Sequence, residues 1–458
     1  MTSRRQFLGW GLSTAAVVGW PGLSSAADWS RFRGPNGSGV TTDTEPVPES
    51  WSADKNLKWK IALPGPGSSC PIIVGDKVFI TCWSGYGTER RERGDQKNLK
   101  RHLICLDRKT GKTIWDKSVA AVLPEDEYGG MFAEHGYASH TPACDGERIY
   151  AFFGKTGAIA FNMDGGQLWQ TGVGTGSDPR GWGSASSPVL YKNIVIITAS
   201  AEGETLFGLE KDTGKIVWKQ EAGGLGSTWG TPVLVPVDAQ RTDLVLGVPN
   251  EIWGLNPETG KLRWYCPGLS TDSFCSSVVA DGDVVFGVEG RGGGSLAVRA
   301  GGTDDVSETH VVWTGRDNNR IGTPVVHNGL LYFIANKVVN CVDAKTGERV
   351  YQSRLASSGA EAAAPERGGP PGGGRGFGGG RGGMGGQDYG SPIIADNKLY
   401  YVARNGEAFV VKLGRKFEQL SSNRVTADTE DFSATPAAAN GALFIRSSKH
   451  LYCIAHAK

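Results

Sequence analysis

One short signature governs this chain: a small residue, a proline and an apolar run, repeated along most of its length. It stands at Cys70-Pro71, Thr141-Pro142, Ser187-Pro188, Thr231-Pro232, Thr323-Pro324, Ser391-Pro392 and Thr435-Pro436. A degenerate copy, Ser276-Ser277-Val278-Val279, has Ser277 in the proline's place. The intervals are 71, 46, 44, 45, 47, 68 and 44 residues, so one unit recurs and two units carry insertions. A chain of 458 residues would ordinarily divide into roughly three domains, but a period this regular argues for one repeat architecture.

The order inside each unit is constant. An apolar run leads to a turn such as Gly75-Asp76, Asp145-Gly146 or Asn440-Gly441, and a second apolar run follows. A third run ends in a polar residue (Leu106-Asp107, Leu209-Glu210, Leu255-Asn256, Val342-Asp343), then comes Thr-Gly, then a fourth run with an aromatic. Those aromatics are Trp115, Trp169, Trp218, Trp264, Trp313 and Tyr351. Four short strands in a unit of ~45 residues predict a β-propeller blade. The last unit stops after its third run, Leu451-Tyr452-Cys453-Ile454, and the missing fourth lies at the other end, Leu57-Lys58-Trp59-Lys60. The expected fold is therefore all-β: an eight-bladed propeller closed by its N-terminal strand, which leaves no open edge.

Lys plus Arg number 48 against 47 Asp plus Glu, a balance that gives no reason to expect nucleic acid as a partner. Residues 1–27 read as a cleavable twin-arginine signal: Arg4-Arg5-Gln6-Phe7-Leu8, a glycine-broken apolar run to Leu23, then Ser24-Ser25-Ala26-Ala27. That run is short for a membrane span and no later stretch approaches one, so the expected location is periplasmic or otherwise exported. Residues 28–458 are expected to form the single propeller.

With strands lettered a to d from axis to rim, the d–a and b–c connections share one face, and the a–b and c–d turns share the other. The insertions at 83–102, 116–138 and 353–388 all fall on the first face, while the turns of the second hardly vary. Insertions gathered on one face of a repeat ring mark a binding surface. Arg90, Arg91 and Arg93 are the candidate loop contacts for a protein or polymer partner. The Gly/Arg-rich stretch from Arg367 to Gln387 is expected to be a flexible, solvated insert. A second group gathers where strands a begin: Trp182, Trp229, Phe274, Arg320, Asp388, Tyr389 and Asp431, with Glu134, His135 and His140 entering blade two. These are candidate residues of the channel mouth; the competing reading is ordinary blade packing for the aromatics and satisfied loop histidines.

Cys105, Cys341 and Cys453 take a third-strand position filled elsewhere by Ala160, Gly208, Gly254 and Ala297, a slot for a small buried side chain and hence for free thiols. Cys266 and Cys275 fall roughly 14 Å apart across three strand gaps, beyond the ~7 Å reach of a disulfide. Cys70 and Cys82, flanking the Gly75-Asp76 hairpin, are the one pair placed to bridge. No Ser-His-Asp elbow, phosphate loop or zinc signature occurs, and no metal site is expected.

The blade pattern resembles the pyrroloquinoline-quinone (PQQ) repeat family. That family includes the eight-bladed quinoprotein dehydrogenases and the non-catalytic propeller lipoprotein of the outer-membrane β-barrel assembly machinery. The opening Trp29-Ser-Arg-Phe-Arg-Gly-Pro-Asn-Gly-Ser-Gly39 and the stretch from Glu134 to Pro142 look like an exported branch of it. For a quinoprotein the resemblance implies PQQ, calcium ligands, a vicinal Cys-Cys over the quinone, a Trp beneath it and a catalytic Asp. No two of the eight cysteines are adjacent, and no calcium ligand set matches residue by residue. The preferred expectation is a non-enzymatic binding or scaffold propeller using the inserted face. The alternative is a divergent PQQ-dependent oxidoreductase. A saccharide lyase or hydrolase using the acids of 125–134 is the weaker third.

Overall fold

The third and fourth strands of the units meet at a recurring pair. Cys105 faces Trp115, Ala160 faces Trp169, Gly208 faces Trp218, Gly254 faces Trp264, Ala297 faces Trp313, and Cys341 faces Tyr351. The ring lies flat over the opposing backbone, so a Cβ on Gly208 or Gly254 would strike the indole facing it. That explains the small-residue slot. Immediately after each of these pairs the register slips by one residue, a bulge that turns the rim strand toward the next blade. There the indole is caught: Trp59 Nε1 donates to the Arg108 carbonyl at 3.0 Å, Trp169 to Lys211 at 2.8 Å and Trp313 to Ala344 at 2.9 Å. The Thr-Gly turns make room for it. Gly111, at φ 72°, would place a Cβ 2.7 Å from the Trp59 ring.

The computed structural model describes residues 28–88, 92–128, 136–290, 292–357 and 387–457. These form eight sheets, seven of four strands and one of five, each a blade. The N-terminal strand Leu57–Ala62 supplies the rim of the last blade by pairing antiparallel with His450–Ala455, Trp59 opposite Cys453. The ring is closed as expected. Among the described residues no helix is long and apolar enough to cross a membrane; residues 1–27, where a signal is expected, lie outside them.

At the axis the Ser/Thr-Pro motif explains itself. Each motif backbone N–H donates to the hydroxyl of the next blade's motif: Cys70 to Thr141 at 2.9 Å, Thr141 to Ser187 at 3.0 Å, and so on through Thr231, Ser277, Thr323 and Ser391 to Thr435. The Thr435 amide and hydroxyl turn to the Cys70 sulfur, which takes the eighth hydroxyl's place. The degenerate copy is corrected by one residue: Ser277 carries the hydroxyl, so Val278 replaces the proline.

Three other expectations are corrected. Cys70 and Cys82 are buried free thiols. Cys82 points into the core shared with blade eight, whereas Cys70 lines the axial channel. The inserted connections are shorter than expected because strands extend into them: Lys77–Ser84 and Lys100–Asp107 leave 85–99 between them, and Thr113–Ala120 and Arg349–Arg354 begin the other two. The turn face also varies. Between strands c and d of blade five the chain leaves to add Asp304–Asp305 as a parallel fifth strand on blade four. There Trp264 departs from the pattern and donates to the fully buried Asp243, which also binds Arg241 and Arg263.

Candidate functional site

Which end of the channel can receive a ligand is decided by residues 29–41. This segment crosses the turn face, bridging to strand a at Ile73 in blade one and at Ile394 in blade seven. Beneath it Arg31 Nη2 donates to the Pro232 carbonyl at 3.2 Å, and Arg33 donates to Pro392 at 3.0 Å and Pro324 at 2.6 Å. Phe32 between them reaches the channel floor. Burial without a carboxylate lowers the Arg31 pKa to about 10 and that of Arg33 to about 9. The guanidinium groups answer carbonyls that the motif prolines leave free of the inter-blade ladder. The opening Trp-Ser-Arg-Phe-Arg-Gly-Pro motif is thus a plug, a role its residue types did not disclose.

Among the described residues the opposite end is open. A cavity of about 140 Å³ there is lined by Trp182, Trp229, Arg320, Tyr389, Gln387 and Cys275. Trp182 and Trp229 pack at 5.0 Å, and Trp229 Nε1 donates to the Gly183 carbonyl at 2.7 Å. Trp182 lies beneath two guanidinium groups, Arg180 and Arg320, each 5.5 Å from its ring. Arg180 is paired with Asp272 at 3.2 Å. Arg320 donates to Gln387 at 3.3 Å, keeps a buried Nε without a protein partner, and among the described residues has no ion pair. The mouth therefore joins flat aromatic surface to an uncompensated cation, suiting a carboxylate-bearing or aromatic group.

The remaining candidates are dispersed. Phe274 is fully buried in the core of blades four and five. Asp388 accepts from the Arg404 backbone at 2.8 Å, and Arg404 pairs with Asp431 while covering Tyr389 at 5.3 Å. Asp431 and Arg93 line a separate groove of about 900 Å³ between blades eight and one. Arg93 is no free loop cation, since its Nη2 donates to the Tyr128 carbonyl at 2.9 Å and ties two insertions together. Arg90, Arg91, Glu134, His135 and residues 358–386 lie outside the described residues.

The inserted loops of blade one carry their own core, Trp83, Tyr86, Leu99 and Tyr137. Under it the Arg101–Glu125 ion pair is sealed, at 3% and 2% side-chain exposure, with Arg101 also donating to Thr156 at 2.9 Å. Lys155 binds Asp126 at 2.7 Å beside it. His140 does not face the mouth directly. Buried against Phe152, its Nε2 lies 3.0 Å from Ser184 Oγ, and Ser184 in turn donates to Glu202. Burial, assisted by Arg101, lowers the His140 pKa to about 3, so the imidazole stays neutral. Burial raises Glu202 to about 7, against the Ser184 hydrogen bond. Ser184 also lines the mouth, so the chain from His140 to Glu202 forms its rear wall. The carboxylate of this relay comes from the b–c connection of blade three, where no sequence signal marked it.

A quinone with its metal can be tested against these residues. Among the described residues no three His, Cys, Asp or Glu side chains converge on a point, and all the cysteines are separate free thiols. The donor set and the disulfide lid do not fit, although the aromatic pair would suit a planar ring.

The family model described as outer membrane protein assembly factor BamB matches residues 36–173, 96–203 and 164–411, overlapping registers of one repeat. A polyvinylalcohol dehydrogenase of Pseudomonas is 23% identical over 55% of this chain and 42% of its own length. A tetrathionate hydrolase of Acidithiobacillus ferrooxidans is 24% identical over 62% of this chain and 58% of its own. The chain thus spans only about half the length of these relatives. BamB from Moraxella catarrhalis superimposes with a TM-score of 0.56 at 11% identity, covering 87% of this chain and 97% of that one, a likeness of fold. With the repeat matched over most of its length and eight blades closed into one ring, this chain belongs to the PQQ-like repeat propeller family that BamB represents.

Proposed function

We propose that this chain is an exported binding propeller that receives an acidic or aromatic segment of a protein or polymer partner in its axial mouth. One observation carries this: residues 29–41 close the channel at the turn face, so the only axial entrance among the described residues is the loop face, where Trp182, Trp229 and Arg320 stand. The partner's carboxylate would meet Arg320 and its apolar part the paired indoles, a cation–aromatic combination found at interface hot spots. The family's assembly-factor branch supports a protein partner.

The test uses the mature chain against an exported-protein extract, followed by affinity measurement with each purified partner. Trp229→Ala and Arg320→Glu should weaken capture by at least ~30-fold, as loss of a ~2 kcal/mol hot spot requires. Turn-face changes such as Lys109→Glu should leave it intact. Capture indifferent to both mouth substitutions would refute the reading.

The quinoprotein alternative keeps one supporting observation, the Trp182–Trp229 pair, and lacks donors for the metal. Saturable PQQ binding with calcium, lost in Trp182→Ala and accompanied by dye-linked alcohol oxidation, would favour it instead.

A further inference from the structure

Blade one brings together three side chains that no local motif unites. Ser84 ends strand b, His102 lies on strand c and Asp116 on strand d. The register sets Cys82 opposite His102 and His102 opposite Ser118, so Ser84 and Asp116 are its diagonal neighbours on the same side of the sheet. Ser84 Oγ lies 2.7 Å from His102 Nε2, and His102 Nδ1 lies 2.9 Å from one Asp116 oxygen and 3.2 Å from the other. An ionised carboxylate only accepts, so Nδ1 carries the proton and Nε2 of the neutral ring accepts from the Ser84 hydroxyl. The order is hydroxyl, imidazole, carboxylate, with each ring nitrogen in its catalytic role.

The surroundings suit a nucleophile. His102 is 8% exposed, held by the sheet, while Ser84 opens onto the groove of about 900 Å³ between blades eight and one. Gly85 follows at φ 81°, where a Cβ would strike the Asn98 carbonyl. Lys449 lines this groove without an ion pair among the described residues, whereas Arg93 is paired with Glu127 and Asp431 with Arg404, so the groove carries one unpaired positive charge.

We propose that Ser84, His102 and Asp116 form a serine-nucleophile site that hydrolyses carboxylic esters carried on anionic molecules. Ser84 Oγ attacks the ester carbonyl carbon as His102 Nε2 takes the hydroxyl proton. The carbon–oxygen bond to the alcohol breaks, and His102 returns that proton to the departing alkoxide. Water then attacks the acyl-serine, His102 again takes and returns the proton, and the acid leaves as Ser84 is restored. Asp116 holds the imidazole in the required tautomer throughout. The site is distinct from the axial mouth and does not depend on the partner reading above.

The test is covalent labelling of the full mature chain with a fluorophosphonate, read by intact mass and peptide mapping, beside hydrolysis of 4-nitrophenyl acetate and its anionic succinate analogue. One adduct per chain on Ser84 is expected, lost in Ser84→Ala and in His102→Ala. Hydrolysis should fall by ~10³-fold or more in Ser84→Ala and by ~10²-fold or more in Asp116→Asn. Ser84→Ala leaves the His102–Asp116 pair in place and should melt as the parent does. Absence of a Ser84 adduct in natively melting protein, or equal hydrolysis by Ser84→Ala, overturns the proposal.

Discussion

Glu202 makes the stability of this propeller depend on pH in a direction opposite to that of an ordinary surface carboxylate. The side chain is 5% exposed, its Oε1 accepts from Ser184, and its Oε2 has no protein partner. Burial raises its pKa from 4.5 to about 7. The folded chain therefore binds more protons than the unfolded chain between those values, and stability falls as pH rises through the window. At ~1.4 kcal/mol per unit, the loss by neutral-to-basic pH is about 3 kcal/mol. Glu202→Gln keeps an acceptor for Ser184 and cannot ionise. Guanidinium unfolding of both proteins from about pH 4 to about pH 8.5 isolates the effect, since other titrating groups cancel in the difference. The variant should match the parent near the acid end and exceed it by about 3 kcal/mol at the basic end. A difference that stays flat across pH would show that Glu202 titrates alike in both states, and the inference from its burial would fail.

Arg33→Ala should lower stability by ~3–5 kcal/mol, because it strands the buried Pro324 and Pro392 carbonyls, and urea midpoints would register it. Arg101→Met should cost ~3–5 kcal/mol by leaving Glu125 charged and unpaired, and adding Glu125→Leu should recover most of it; a double-mutant cycle without that recovery would deny that the pair is sealed. Gly254→Ala, whose new methyl would strike Trp264, should lower stability by ~1–3 kcal/mol, whereas blade two accommodates the methyl of Ala160 at the equivalent position opposite Trp169.

The blade, its four strands and the closing role of Leu57–Ala62 were readable along the chain because they rest on local, repeated chemistry. Turn glycines need left-handed backbone, rim indoles need a small partner opposite, and prolines open the first strand of every blade but the fifth. Each constraint acts over a few residues and recurs, so the period exposes it. The slot shared by Cys105, Cys341 and Cys453 was legible for the same reason: only a small side chain fits against the facing ring.

The sites were less legible, because each depends on residues far apart in sequence. Trp182, Trp229, Arg320 and Tyr389 follow the unit period and could be anticipated at one mouth, yet Phe274, equally aromatic and close to Trp229 through the Thr228 bridge, turned into the core. Ser277 was misplaced by one position because only its hydrogen bonds to neighbouring blades show which serine completes the axial ring. The plug, the Arg101–Glu125 pair and the row from Ser84 to Asp116 carry no period at all. They arise where strand register and ring closure bring unlike segments within hydrogen-bonding distance, and a propeller's repeat, which dictates each blade alike, contains no term for the side chains that differ between blades.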